Sequence, residues 1–263
     1  MAAMENIQST HLLARPVVEV SSRIFNGASF QLELGQHGDD DHLETLSALP
    51  SVKNVWPVRE IQLPEHEVHW TGENPASQGG FQNARSTTGF APHVLTQVDR
   101  LHKEGFTGKG IKVGILDGGI DWKHPALGGC FGSGCVVARG YDFVGDDDWN
   151  RKPDPDPYTS CNGHGTHVAG IIAAQENKHG FLGVAPGVEL GMYRVLGCDR
   201  SGSEDIIIAG LLKAFEDGSD IITASLGGLS GWSRSAAGVT LERIVQAGVI
   251  WYVVRLRCRK GAN

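Results

Sequence analysis

No stretch of the sequence approaches the ~20 consecutive apolar residues of a membrane-crossing helix, so a helical bilayer span is excluded and no membrane partner is expected. Met1 to Val20 carries Glu5 and breaks up its apolar residues with polar ones, so no signal-peptide core is expected there. Basic residues do not cluster before the last few positions, and 23 of them against 30 acidic groups leave a net charge of −7. That balance excludes nucleic acid as the main partner. The glutamate of an H-E-x-x-H metalloprotease helix is also missing. Cysteine is sparse, and five leave at least one unpaired. Cys130 and Cys135 are close enough to staple a small loop in an oxidising compartment and would be free thiols in a reducing one. What remains is an ordinary globular balance, 40% hydrophobic and 20% charged, in a chain of 263 residues. That length holds one large or two modest domains, each with a core.

Two glycine-punctuated blocks stand out against this background. Val113-Gly114-Ile115-Leu116-Asp117-Gly118-Gly119-Ile120-Asp121 reads as an apolar strand, Ile111 to Leu116, delivering Asp117 at its carboxyl end, where parallel α/β sheets place their ligands. Asn162-Gly163-His164-Gly165-Thr166-His167-Val168-Ala169-Gly170 puts His164 at the start of a helix, with Gly163 and Gly165 removing side chains that would block close approach. A carboxylate and an imidazole so placed can act together: the carboxylate fixes the tautomer and stabilises the imidazolium, and the imidazole takes a proton from a nucleophile.

Read in this order, the two blocks resemble the Asp and His motifs of the subtilisin family of serine endopeptidases. Gly183-Val184-Ala185-Pro186 resembles the family's helix exit, and Asp220-Ile221-Ile222-Thr223-Ala224-Ser225-Leu226-Gly227-Gly228 its substrate-binding strand. His124-Pro125-Ala126-Leu127-Gly128-Gly129 and Gly140-Tyr141-Asp142-Phe143-Val144-Gly145-Asp146 resemble the fungal and bacterial minor extracellular branch. The resemblance implies Asp117 and His164 as catalytic residues, Ser225, Leu226, Gly227 and Gly228 as the edge that pairs with an extended peptide, and a peptide or protein substrate. It also implies a secreted protein. With no signal core in Met1 to Val20, the expectation is an intracellular version or a start that is not the natural one.

The pattern of elements predicts an α/β fold with a parallel sheet and helices on both faces, incomplete at its carboxyl side and preceded by a small α+β module. Residues 1–23 are expected as an N-terminal extension and 24–63 as the module. Phe30, Leu32 and Leu34 alternate at strand period, Leu43, Leu46 and Leu49 recur at helical spacing, and Val52 to Val58 reads as a further strand. The position of this module resembles the family's inhibitory propeptide, an intramolecular partner; a structural module unrelated to inhibition is the alternative. Residues 64–95, rich in Gly, Ser, Asn, Gln and Thr, read as a linker. Residues 96–263 are expected as the amino-terminal part of a catalytic domain, with strands at 111–116, 189–195, 220–224 and 249–254. Helices are expected near His164, from Glu204 to Glu216 behind a capping-box pattern Ser201-Gly202-Ser203-Glu204, and around Thr240 to Gln246.

Other residues carry weaker signals. His164 and His167 are three apart on a helix, a spacing compatible with metal ligation, but the ligand set is incomplete; no metal is expected, and His167 reads as packed within its helix. His124 reads as a turn residue. The run Asp142, Asp146, Asp147, Asp148, Asp154 and Asp156 could hold calcium through its carboxylates, and otherwise reads as a solvated loop. No other cofactor is expected.

The resemblance then stops. The family's Gly-Thr-Ser-Met-Ala motif occurs nowhere in the sequence. Ser230 has small neighbours but would lie beside the cleft, not opposite His164. Where the family's oxyanion asparagine is expected, a few residues beyond Gly248-Val249-Ile250, the sequence has Arg257, and Asn263 comes too late. Gly118 also replaces the family's usual Thr or Ser. The expectation is a chain cut short, inactive as a peptidase; a non-catalytic peptide-binding pseudoprotease and a metal hydrolase using His164 and His167 are the alternatives.

Overall fold

The structure is a computed structural model that describes residues 14–32, 39–62, 91–147, 151–177, 180–226 and 235–253. Its first elements, β1 (Ala14–Ser21) and β2 (Asn26–Leu32), pair antiparallel as a hairpin. Val18 and Val20 alternate with exposed neighbours, so one face of the hairpin is apolar. The boundary expected at residue 24 therefore falls inside a hairpin whose first strand belongs to the expected extension. In α1 (Asp39–Ser47) and the turn behind it, Leu46 is buried while Leu43 is exposed. No strand forms over Val52 to Val58, contrary to expectation: Pro57 has no N–H to give a ladder, and the chain instead forms the short β3 (Glu60–Gln62). Leu34 and most of the expected linker lie outside the described residues.

After two short helices, α2 (Ala91–Thr96) and α3 (Val98–Lys103), the chain enters its main sheet. Five of the six residues of β4 (Lys112–Asp117) are buried, as a strand covered on both faces requires. The remaining elements are β5 (Val137–Asp142), α4 (His164–Ala173), β6 (Glu189–Arg194), β7 (Ser201–Ser203), α5 (Glu204–Glu216), β8 (Ile221–Ala224), α6 (Ala236–Gln246) and β9 (Ile250–Val253). The five-stranded sheet runs in the order β5-β6-β4-β8-β9, and every pairing is parallel. Val113 and Ile115 join Ala169 and Ala173 of α4 in one apolar cluster. Leu116 joins Leu211 of α5 and Ile244 of α6 in another. Helices thus cover both faces, and each fully buried Leu or Ile contributes about 1.5–3 kcal/mol.

Local signals set the helix ends. α5 starts at the expected residue, but no capping box forms: the Ser203 side chain makes no capping bond. Glu204 and Asp205 in the first turn complement the helix dipole instead. Gly218, at φ 78°, ends it. α6 is capped by Ser235, whose hydroxyl accepts from Gly238 N at 3.1 Å. Among the described residues no helix is long and apolar enough to cross a membrane.

The hairpin β1–β2 docks on α5 and the start of α6. Phe25, in the turn, packs with Ile208 and Leu212, and Ala236 and Ala237 lie against the same cluster. Ser29 Oγ donates to Asp205 Oδ2 and Ser22 Oγ to Glu216 Oε1, both at 2.6 Å. Arg243 Nη1 donates to the Ile24 carbonyl at 2.8 Å.

Candidate active site

β4 lies between β6 and β8, so its last residue emerges at the centre of the carboxyl edge of the sheet. That residue, Asp117, is fully buried. Its Oδ1 accepts from Gly118 N at 2.7 Å, and His164 Nδ1 lies 2.9 Å from Oδ1 and 2.8 Å from Oδ2. The two expected residues therefore meet, although one comes from a strand end and the other from a helix start.

Gly165 allows this meeting. A Cβ there would lie 2.2 Å from the Gly119 carbonyl oxygen and 3.1 Å from Asp117 Cβ. Gly163 has no such role, since a Cβ would meet nothing within 4 Å. Asn162 Oδ1 accepts from His164 N at 2.9 Å, and Thr166 Oγ1 accepts from Asp121 N at 2.8 Å, so both sides of the pair are tied to α4. The Gly118 departure does not loosen the contact. It leaves room for Asn162, whose Nδ2 would be 2.8 Å from a Cβ at position 118 and is itself buried without a hydrogen-bond partner.

The hydrogen bond to Asp117 pushes the His164 imidazole above its ordinary range; burial opposes that shift and the Asp117 charge adds to it. The His164 side chain stays 31% exposed against 0% for Asp117, so the pair offers a basic group at a solvent-reachable edge. With Nδ1 engaged by the carboxylate, Nε2 is the atom that takes a proton.

The other sequence signals are redistributed. His167 is exposed, not packed within α4, because the helix turns that face to solvent. His124 caps a short 3-10 turn, Pro125–Leu127, accepting from Ala126 N. The acidic run is not one solvated loop. Asp142 is buried, accepts from Val144 N and Gly145 N at 2.8 Å each, and pairs with Arg194 Nη1 at 2.9 Å. Asp156 accepts from Trp122 Nε1 and Tyr158 N. Asp148 lies outside the described residues. Among those described, the one group of three ligating residues within reach of each other is Asp146 with Cys161 and Cys198, and there the sulfurs are bonded together. Cys130 and Cys135 are also bonded.

Ser225 and Leu226 lie just beyond β8, at the same sheet edge as Asp117, and are half-buried. Gly227, Gly228 and Ser230 lie outside the described residues. A short intramolecular strand pairing went unread in the sequence. β3 pairs antiparallel with β7, Ile61 opposite Gly202, and Ile61 packs on the apolar cluster that Leu226 also touches. Its signal was the small residues Ser201-Gly202-Ser203, which read equally well as a helix cap. A Cβ on Gly202 would fall 2.5 Å from the Val195 carbonyl oxygen.

A buried carboxylate and an imidazole meet at the carboxyl edge of a parallel sheet, with small residues along the extended segments beside them. The sequence pattern of the Subtilase family matches residues 108–254, and the chain belongs to that family of subtilisin-like serine proteases. It is 42% identical over 148 residues to the minor extracellular protease Vpr of Bacillus subtilis (strain 168), covering 56% of this chain and 17% of that one. Over 156 residues it is 36% identical to subtilisin DY of Bacillus licheniformis, covering 59% of this chain and 50% of the relative. Intracellular serine protease of Paenibacillus polymyxa is 45% identical over 121 residues, or 46% of this chain and 34% of the relative. The chain thus spans half or less of the length of these curated relatives.

Proposed function

We propose that the chain carries the base half of a peptide-hydrolysing site, with His164 as general base and Asp117 as its orienting carboxylate. One observation carries the reading: His164 Nδ1 is within 2.9 Å of both oxygens of a fully buried Asp117. In catalysis His164 Nε2 would take the proton of a serine as its oxygen attacks a peptide carbonyl, and Asp117 would stabilise the imidazolium. No Gly-Thr-Ser-Met-Ala segment is present in this sequence to supply that serine, so these residues prepare a base without the group it would activate.

Peptide would approach along β7 and the Ser225–Leu226 edge. The pairing of β3 with β7 supports this, because a preceding segment of the same chain already lies there as an extended strand. On this reading the hairpin β1–β2 and β3 form an intramolecular propeptide-like inhibitor, anchored on α5 by Phe25 and reaching the cleft through Ile61. The same pairing favours a second reading, a non-catalytic peptide-binding protein that uses β7 to hold a partner.

The test is incubation of the purified chain with a casein-type substrate and a fluorophosphonate probe. Neither cleavage nor labelling is expected. Labelling that disappears in His164→Ala would reveal an activated serine, Ser230 first, and overturn the inactive assignment. Binding of an extended peptide to Ile61→Asp, whose β3 no longer packs, would support the peptide-binding reading.

A further inference from the structure

The Cys161–Cys198 bond joins the loop in front of α4 to the loop behind β6. Cys161 is exposed and Cys198 half-buried, so the bond lies at the protein surface. Arg194 lies beneath them, fully buried, with Nη2 3.6 Å from Cys161 Sγ and 3.5 Å from Cys198 Sγ. Its Nη1 is held by Asp142 at 2.9 Å and Asp146 at 2.6 Å. A neutral disulfide gains little from a guanidinium. A thiolate gains much, because the cation favours the charged leaving group of thiol–disulfide exchange.

The same loop carries the link to His164. Asn162 follows Cys161, is buried, and uses Oδ1 to hold His164 N while its amide lies against Gly118. The disulfide therefore anchors the segment that presses His164 onto the Asp117 turn.

We propose that Cys161–Cys198 is a thiol–disulfide exchange site, opened by a dithiol reductant, whose state controls the alignment of His164 with Asp117. A reductant thiolate, its proton lost to solvent, attacks Cys161 Sγ and forms a mixed disulfide. The Cys161–Cys198 bond breaks, and Cys198 leaves as a thiolate held by Arg194. The second reductant thiol loses its proton and attacks the reductant sulfur bonded to Cys161. The reductant departs as a cyclic disulfide, oxidised by two electrons, and Cys161 leaves as a thiolate that takes a proton from solvent. Both protein sulfurs are then reduced, one as a thiol and one as a thiolate. Asp146, whose carboxylate lies within 4.8 Å of both sulfurs, opposes a second negative charge. The proposal goes beyond the peptidase reading and rests on geometry alone, so either can fail without the other.

The test treats the folded chain, in a Cys130→Ser/Cys135→Ser background, with dithiothreitol at neutral pH. Exposed thiols are trapped with iodoacetamide and mapped by mass spectrometry while circular dichroism follows the fold. Alkylation of Cys161 and Cys198 with the fold retained is expected, together with a downward shift in the titration midpoint of the His164 ring protons by NMR. Asp146→Asn should speed exchange roughly two- to fivefold, since it removes an exposed negative charge beside the forming thiolate. Alkylation only as the fold is lost, an unchanged His164 midpoint after reduction, or an Asp146→Asn rate equal to or below the parent would each overturn the proposal.

Discussion

Gly165 packs so closely on Gly119 that a Cβ would lie 2.2 Å from the Gly119 carbonyl oxygen, with Asp117 Cβ only 3.1 Å away. The obstacle is backbone and cannot move like the end of a side chain. Gly165→Ala is therefore expected to cost about 3 kcal/mol or more, through displacement of α4 from the sheet edge. Urea unfolding reads the loss of stability. Gly163→Ala, with open space at its Cβ position, should leave the midpoint nearly unchanged.

His164 should titrate above an ordinary imidazole, because Asp117 favours its protonated form. The folded value is raised, so the stabilisation is fully present below the unfolded value of about 6.5 and is lost as pH rises through the folded value. Urea midpoints measured from pH 5.5 upward should show this fall in the parent. Asp117→Asn should flatten it and bring the NMR midpoint of the His164 ring protons down.

The sequence was most legible where chemistry and periodicity agreed. The apolar run before Asp117 read as a strand and is the central one, and of the two glycines beside His164 it is Gly165 that marked a close approach. Signals that depend on distant partners could not be read. Asp142 read as one of many loop acids because its partner, Arg194, is far away in sequence and becomes its neighbour only when β5 and β6 align in register. Ser201-Gly202-Ser203 read as a cap because nothing local announces that residues 60–62 will pair with it. The expected strand at Val52 to Val58 had strand-type apolar residues, but Pro57 within it gives no N–H to a ladder and no strand forms there.

Arg194 and Asp142 are both buried, and burial pushes the Asp142 carboxyl up while its bonds to Val144 N, Gly145 N and Arg194 oppose that shift. Arg194→Met removes the cation and leaves the buried carboxylate without its countercharge, an expected cost of about 3–5 kcal/mol. Adding Asp142→Asn should recover part of it. A double variant no more stable than Arg194→Met would show that the pair is not coupled.

Phe25 is the apolar anchor of the hairpin on α5. Phe25→Ala is expected to weaken that docking by about 3 kcal/mol, given the usual cost of emptying a buried aromatic site. Limited proteolysis should then cut between β1 and β2 sooner, while the five-stranded sheet stays resistant. Equal loss of both would mean that the hairpin and the sheet unfold as one unit.

Pairing Asp117 and His164 with a serine from a relative tests most directly whether they work as a base. Residues 91–254 are fused to the carboxyl-terminal half of a subtilase relative bearing Gly-Thr-Ser-Met-Ala, and hydrolysis of a peptide substrate is followed. The fusion is expected to be active, with activity falling by about 10² to 10⁴ in His164→Ala, the usual contribution of a positioned acid–base group, and falling in Asp117→Asn as well. A folded fusion that is inactive, or one whose activity survives His164→Ala, would show that this pair is not the base.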